Sequence, residues 1–336
     1  MLIRIQVPTA SVTSSARTYP LAAPLKAAWG RLGIPQVVTN NGNSLGLAEI
    51  VEARTNGTRV VASSVYSLSN VTIKTRSLVQ RILLSPSKRA IGVELDNGTI
   101  YHSSKEIILS AGSIRTPQVL MLSGIGPLEE LQKHGIQQIV DSPEIGKNLW
   151  DHIAARQYFR LRKPELGASF GSPAFPGYTN GNPFDWWVSA SVSEAALKKG
   201  MRMDGVPTPE LLGEPRPHLG IITHYVGGSE YGDPVAPMDG THVTTIVMVT
   251  LPTSRGSVTL RSSDPKENPI TDPNFYATET DRVMMREGIR LVQRMVLDTE
   301  EGRDMFEGEL CPKGKGKLGL DAGDEEIDWR VRVNAS

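Results

Sequence analysis

Apolar positions recur at helical spacing in two clear stretches. Between residues 279 and 297, Met284, Met285, Ile289, Val292 and Val296 fall on one face, and Thr278 with Asp281 supplies a capping-box-like start. Between 20 and 33, Ala22, Leu25, Ala28, Trp29 and Leu32 share a face, and Gly33 is a natural stop. Other stretches carry strand patterns. Residues 71–84 are rich in Val, Ile and Leu. Residues 90–102 predict a hairpin whose Asn97-Gly98 pair would supply the positive φ angles of a type I′ turn. Residues 242–251 read as a core strand, and 254–261 as a turn followed by a strand with Val258 and Leu260 on one face. Residues 39–46 are a turn-rich loop. Residues 160–235 are rich in Gly, Pro, Ser and aromatics and predict irregular excursions with one helix near 190–199.

The stretch 105–127, KEIILSAGSIRTPQVLMLSGIGP, holds the densest signal. Glu106–Leu109 is a continuous apolar run once past its charged start, as expected of a strand covered on both faces. Thr116 can cap the following helix, Pro117 suits its first turn, and Gly124 fits a left-handed ending. A second short helix is expected over 128–134, stopped by Gly135.

Composition narrows the function. The 336 residues carry 36 basic and 36 acidic side chains, so no net field draws the chain to nucleic acid or to an anionic membrane. Lys313, Lys315 and Lys317 are followed by Asp321, Asp324, Glu325, Glu326 and Asp328, the pattern of a solvated loop leading into a helix. Cys311 is the only cysteine, which excludes an internal disulfide and a cysteine-based zinc site. No apolar run reaches the length of a membrane span. The opening MLIRIQVPTA lacks a signal-peptide core, because Arg4 interrupts it. Asn-x-Ser/Thr sequons stand at Asn56, Asn70, Asn97 and Asn334, relevant only in a secretory setting.

Several blocks together resemble the glucose–methanol–choline (GMC) family of flavin oxidoreductases. The strongest is Ser110-Ala111-Gly112-Ser113, Thr116-Pro117, Leu120-Met121-Leu122 and Ser123-Gly124-Ile125-Gly126-Pro127. Ser63-Ser64, Asn70-Val71-Thr72 and Leu78-Val79 with Ile82-Leu83 are similar to the family's lead-in strand. Gly146-Lys147-Asn148-Leu149-Trp150-Asp151-His152 resembles its Gly-x-Asn-x-x-Asp-His block. Pro252-x-Ser254-Arg255-Gly256-Ser257-Val258 and Asp264-Pro265 through Asp272-Pro273-Asn274 look like the start of its substrate domain.

The resemblance implies an α/β fold: a partial doubly wound FAD-binding domain over 1–152, then a substrate domain with an antiparallel sheet and helices over 153–336. It implies FAD as cofactor. Val79 would meet adenine through its main chain, and Ala111, Gly112 and Ser113 would lie against the cofactor. Physical chemistry supports the second placement. Small side chains let backbone approach a ligand, and open α/β sheets bind dinucleotides beyond their strand ends. A helix start favours negative charge.

The implied reaction takes a proton and a hydride from the CH–OH group of a small-molecule alcohol, with the hydride passing to flavin and the electron acceptor unspecified. A non-redox lyase or cyclase of the same family, and a truncated, inactive or interaction protein, are the alternatives. The family's glycine-rich Gly-x-Gly-x-x-Gly turn is not found in the chain, and its catalytic His segment would lie beyond Ser336. The expectation is therefore the middle part of such an enzyme, with no catalytic residue assigned. Asp151-His152 invites an acid–base reading. The resemblance instead puts that block in a loop near flavin and lid. His224 and His242 read as core histidines, and His102, His134 and His218 lack metal spacing. No Gly-x-Ser-x-Gly elbow is present.

Overall fold

A computed structural model describes residues 11–13, 19–38, 44–55, 58–179, 181–213, 216–228 and 236–334. Residues 39–43 of the turn-rich loop and the sequon at Asn56 lie outside the described residues. The chain forms two compact units, one of 1–69, 152–253 and 278–336, the other of 70–151 and 254–277. One crossing between them falls at Asp151/His152.

The first unit is built on a seven-stranded sheet in the order Phe306–Leu310, Ile153–Leu161, His242–Val249, Leu219–His224, Trp186–Ala190, Gly46–Glu49, Gln36–Val37. All neighbours are antiparallel except the last pair. Period-two alternation puts Leu219, Ile221, Val247 and Val249 on one face, all buried. The helix Glu279–Leu297 packs there. The approach is close: a Cβ on Gly288 would stand 2.4 Å from Val247 Cγ1. Thr278 caps this helix by accepting from the Asp281 N–H at 3.2 Å, as its sequence predicts. Asp204, at the end of the helix Glu194–Asp204, adds a second cap by accepting from the Glu279 and Thr280 N–H groups at 2.6 and 2.9 Å. The C-terminal helix Asp324–Asn334 is clasped to it by Arg286, whose Nε donates to Asp328 Oδ1 at 2.8 Å, with Glu279 and Asp324 around the same guanidinium.

The second unit holds an antiparallel three-stranded sheet of Val79–Leu84, Ala90–Leu95 and Ile100–His102, and the helix Gly112–Leu122 packs on its first strand. Met121, Leu122, Leu131 and Leu260 form its core, with Ile136 and Ile145 against them. Ser123 ties helix to strand: its hydroxyl accepts from the Ile82 N–H at 2.8 Å and donates to the Val119 carbonyl at 2.6 Å. Val258 and Leu260 are both buried, as their alternation predicts, although the strand itself covers only Ser257–Thr259.

Four local expectations are corrected. The hairpin at 90–102 forms, but only Gly98 of its turn takes positive φ, at 80°. The Gly98 N–H donates to Leu95 O at 2.9 Å and the Asn97 side chain accepts from the Thr99 N–H at 3.0 Å, which spares Asn97 the left-handed conformation. The stretch 71–78 contributes no strand; the ladder starts at Val79. Glu106–Leu109 is not a strand either. Among the described residues no strand pairs with it, and Ile108 is 79% exposed. An apolar run becomes a strand only where a ladder partner lies beside it. The helix that follows starts at Gly112 rather than after Thr116, so Pro117 stands inside it. Gly124 and Gly135 do end their helices with φ of 77° and 66°.

Candidate cofactor site

Ala111, Gly112 and Ser113 form one exposed corner of the second unit, at the start of the helix Gly112–Leu122. Gly112 has φ +82°, a left-handed value that glycine adopts without penalty, and a Cβ built there would meet nothing within 4 Å. The corner thus offers backbone to open space. Ala111, the helix cap, has no side-chain acceptor for the first N–H groups, and no acidic residue stands in the first turn. Those N–H groups and the positive end of the helix dipole are left for an outside acceptor. This donor set fits an electron-rich or anionic part of a dinucleotide.

Val79 opens the strand Val79–Leu84 opposite Leu95, with a bulge between Val79 and Arg81. It is half-buried, and its strand packs on the same helix that carries the corner.

Beside the corner lies a cleft of about 400 Å³, lined among others by Ser113, Thr116, Leu120, Lys147, Trp150 and Val258. The segment 145–150 also lines it. Gly146 has φ +80°, and its carbonyl accepts from the Val258 N–H at 2.6 Å; a Cβ there would stand 2.2 Å from Val258 O. Asn148 also takes positive φ, 57°, and its amide donates to Glu144 Oε2 at 2.7 Å. Leu149 and Gly256 exchange backbone hydrogen bonds at 3.0 and 2.8 Å. Trp150 is 53% exposed, with the Arg255 guanidinium 5.1 Å from its ring centroid. Sequence reasoning did not single out Lys147; its signal is a cation inside the Gly-x-Asn block.

Three of the six histidines are accounted for by packing. His218 accepts from the Val192 N–H at Nδ1, 3.1 Å, and faces Leu211 O at Nε2, 3.0 Å; burial pushes its pKa down. His224 stacks on Phe184 with ring centroids 4.8 Å apart, and burial, helped by Arg156, lowers its pKa to about 4. His242 is buried, which lowers its pKa, and its Nδ1 lies 2.7 Å from Thr241 Oγ1. Asp151 and His152 belong to different units. Cys311 is half-buried with its thiol pKa raised by burial, the reverse of an activated nucleophile. Among the described residues no cluster of His, Cys, Asp and Glu could hold a metal ion, and no helix is long and apolar enough to cross a membrane.

Residues 10–154 and 252–335 match the N-terminal and C-terminal parts of the GMC oxidoreductase family. The chain is 38% identical over 335 residues to the GMC-type oxidoreductase acuG of Aspergillus aculeatus, covering 97% of this chain and 63% of that protein. It is 31% identical over 277 residues to human mitochondrial choline dehydrogenase, covering 80% of this chain and 43% of that protein. Among solved structures, the formate oxidase of Aspergillus oryzae RIB40 superposes with a TM-score of 0.79 at 27% identity, over 94% of this chain and 59% of that one. These matches define the class first: an α/β chain with the fold of FAD-dependent oxidoreductases. The chain belongs to the GMC oxidoreductase family. It spans less than two thirds of the length of each of these relatives.

Proposed function

We propose that this chain is the part of an FAD-dependent GMC oxidoreductase that receives the cofactor at the Ala111–Ser113 corner and serves oxidation of an alcohol CH–OH group. The carrying observation is that corner: exposed backbone, a left-handed glycine with open space before it, and an uncapped helix start. FAD, when bound, supplies the hydride acceptor. The chain's own residues bind and orient. Ala111, Gly112 and Ser113 present backbone without bulky side chains, and Val79 offers main chain at the head of its strand for the adenine. No histidine of the described residues is given the role of base. His224 stays neutral above pH about 4 and His218 has both ring nitrogens engaged.

Choline is named for one relative and formate for another, and an alcohol donor is the reading the first of these favours. Anaerobic addition of primary and secondary alcohols to FAD-loaded protein tests it. Stoichiometric bleaching of the flavin's visible band by one alcohol class is the expected result. A loaded protein whose flavin no alcohol reduces contradicts the redox reading.

A further inference from the structure

Lys147 lines the cleft beside the corner, and among the described residues no anion neutralises it. Among the described residues its side chain makes no hydrogen bond or ion pair, and the side chains of Ser113 and Thr116 are equally uncommitted. The nearest carboxylate in sequence, Glu144, is taken by the Asn148 amide at 2.7 Å. Among the described residues no acidic side chain lines the cleft. The segment that carries Lys147 is held at several points: the Lys147 N–H donates to Glu144 O at 3.0 Å, Gly146 O accepts from Val258, and Leu149 is bridged to Gly256. Two of its residues, Gly146 and Asn148, hold positive φ on either side of the lysine. A lysine on a fixed backbone, two free hydroxyls and an uncapped helix start thus converge on one cleft of about 400 Å³.

Resting on the cofactor reading above, we infer that Lys147 is the counter-charge to a phosphate of the bound FAD, with the Ser113 and Thr116 hydroxyls donating to the same group. A charged hydrogen bond of this kind contributes enough to change affinity about 10- to 100-fold. The lysine is exposed, so its removal leaves the core intact.

The test is equilibrium titration of the 336-residue protein with FAD, read by flavin fluorescence at two salt concentrations. Lys147→Ala should raise Kd by about 10-fold or more, Lys147→Arg should stay within about 3-fold of the parent, and the alanine variant should show the weaker salt dependence. Lys133→Ala, an exposed lysine paired with Glu129, is the control and should change nothing. Lys147→Ala binding FAD as tightly as the parent, or alanine and arginine weakening it equally, overturns the assignment while leaving the corner reading in place. A parent that takes up no FAD overturns both.

Discussion

Ser123 carries the sharpest structural prediction. It lies in the Ser-Gly-Ile-Gly-Pro run that resembles the family motif, yet it is buried and its hydroxyl spans helix and strand. Ser123→Ala removes a single oxygen. The Val119 carbonyl keeps the Ser123 backbone N–H as donor at 3.1 Å, so the loss falls on the Ile82 N–H, left buried without an acceptor. An orphaned buried donor costs about 1–3 kcal/mol. The assay is urea unfolding followed by circular dichroism, with Ser113→Ala, on the exposed start of the same helix, as the comparison. Ser123→Ala should lose about 2 kcal/mol and Ser113→Ala less than about 0.5 kcal/mol. Equal stability of the two variants would refute the claim that this motif serine acts as a bracket.

Arg286→Met should cost about 3–5 kcal/mol in the same assay, because Asp328 and Glu279 lose the cation between them; a loss below about 1 kcal/mol would show the clasp to be dispensable. His224 should titrate near pH 4 by NMR, well below the usual imidazole value. The unfolded chain then binds more protons than the folded one between about pH 4 and 6.5, so stability falls as pH drops through that window and is fully present above it. His224→Phe should flatten that part of the profile, and an unchanged slope would assign the acid sensitivity elsewhere. Gly112→Leu should abolish FAD retention by filling the open space at the corner, whereas Gly112→Ala, equally strained at φ +82° but much smaller, should retain more of it; equal loss in both would assign the effect to strain.

Local pattern made much of the first unit legible. The periodicity of 279–297 and the Thr278 cap needed only i, i+3, i+4 contacts within the chain, and the strand at 242–251 needed only its own apolar run. The Asp204 cap was not legible, because it joins two helices 75 residues apart. Glu106–Leu109 was misread for a related reason. Its apolar residues fit a buried strand, but strand formation depends on a ladder partner that no residue composition announces. The start of the next helix was misplaced because Thr116-Pro117 carries the usual opening signals, while Gly112, which opens it, carries none without its φ. The expectation for the Ala111–Ser113 corner rests on the motif as a whole. The role inferred for Lys147 had no such signal, since it depends on Asn148 having already engaged Glu144.

The central claim, that the cofactor lies against Ala111, Gly112 and Ser113, is tested most directly by hydrogen–deuterium exchange of the protein with and without saturating FAD. The account predicts slowed exchange of the amides of 111–116 and around Val79, with the buried helix 284–296 unaffected. Uptake of FAD with no change at that corner, or protection confined to another part of the chain, would contradict it.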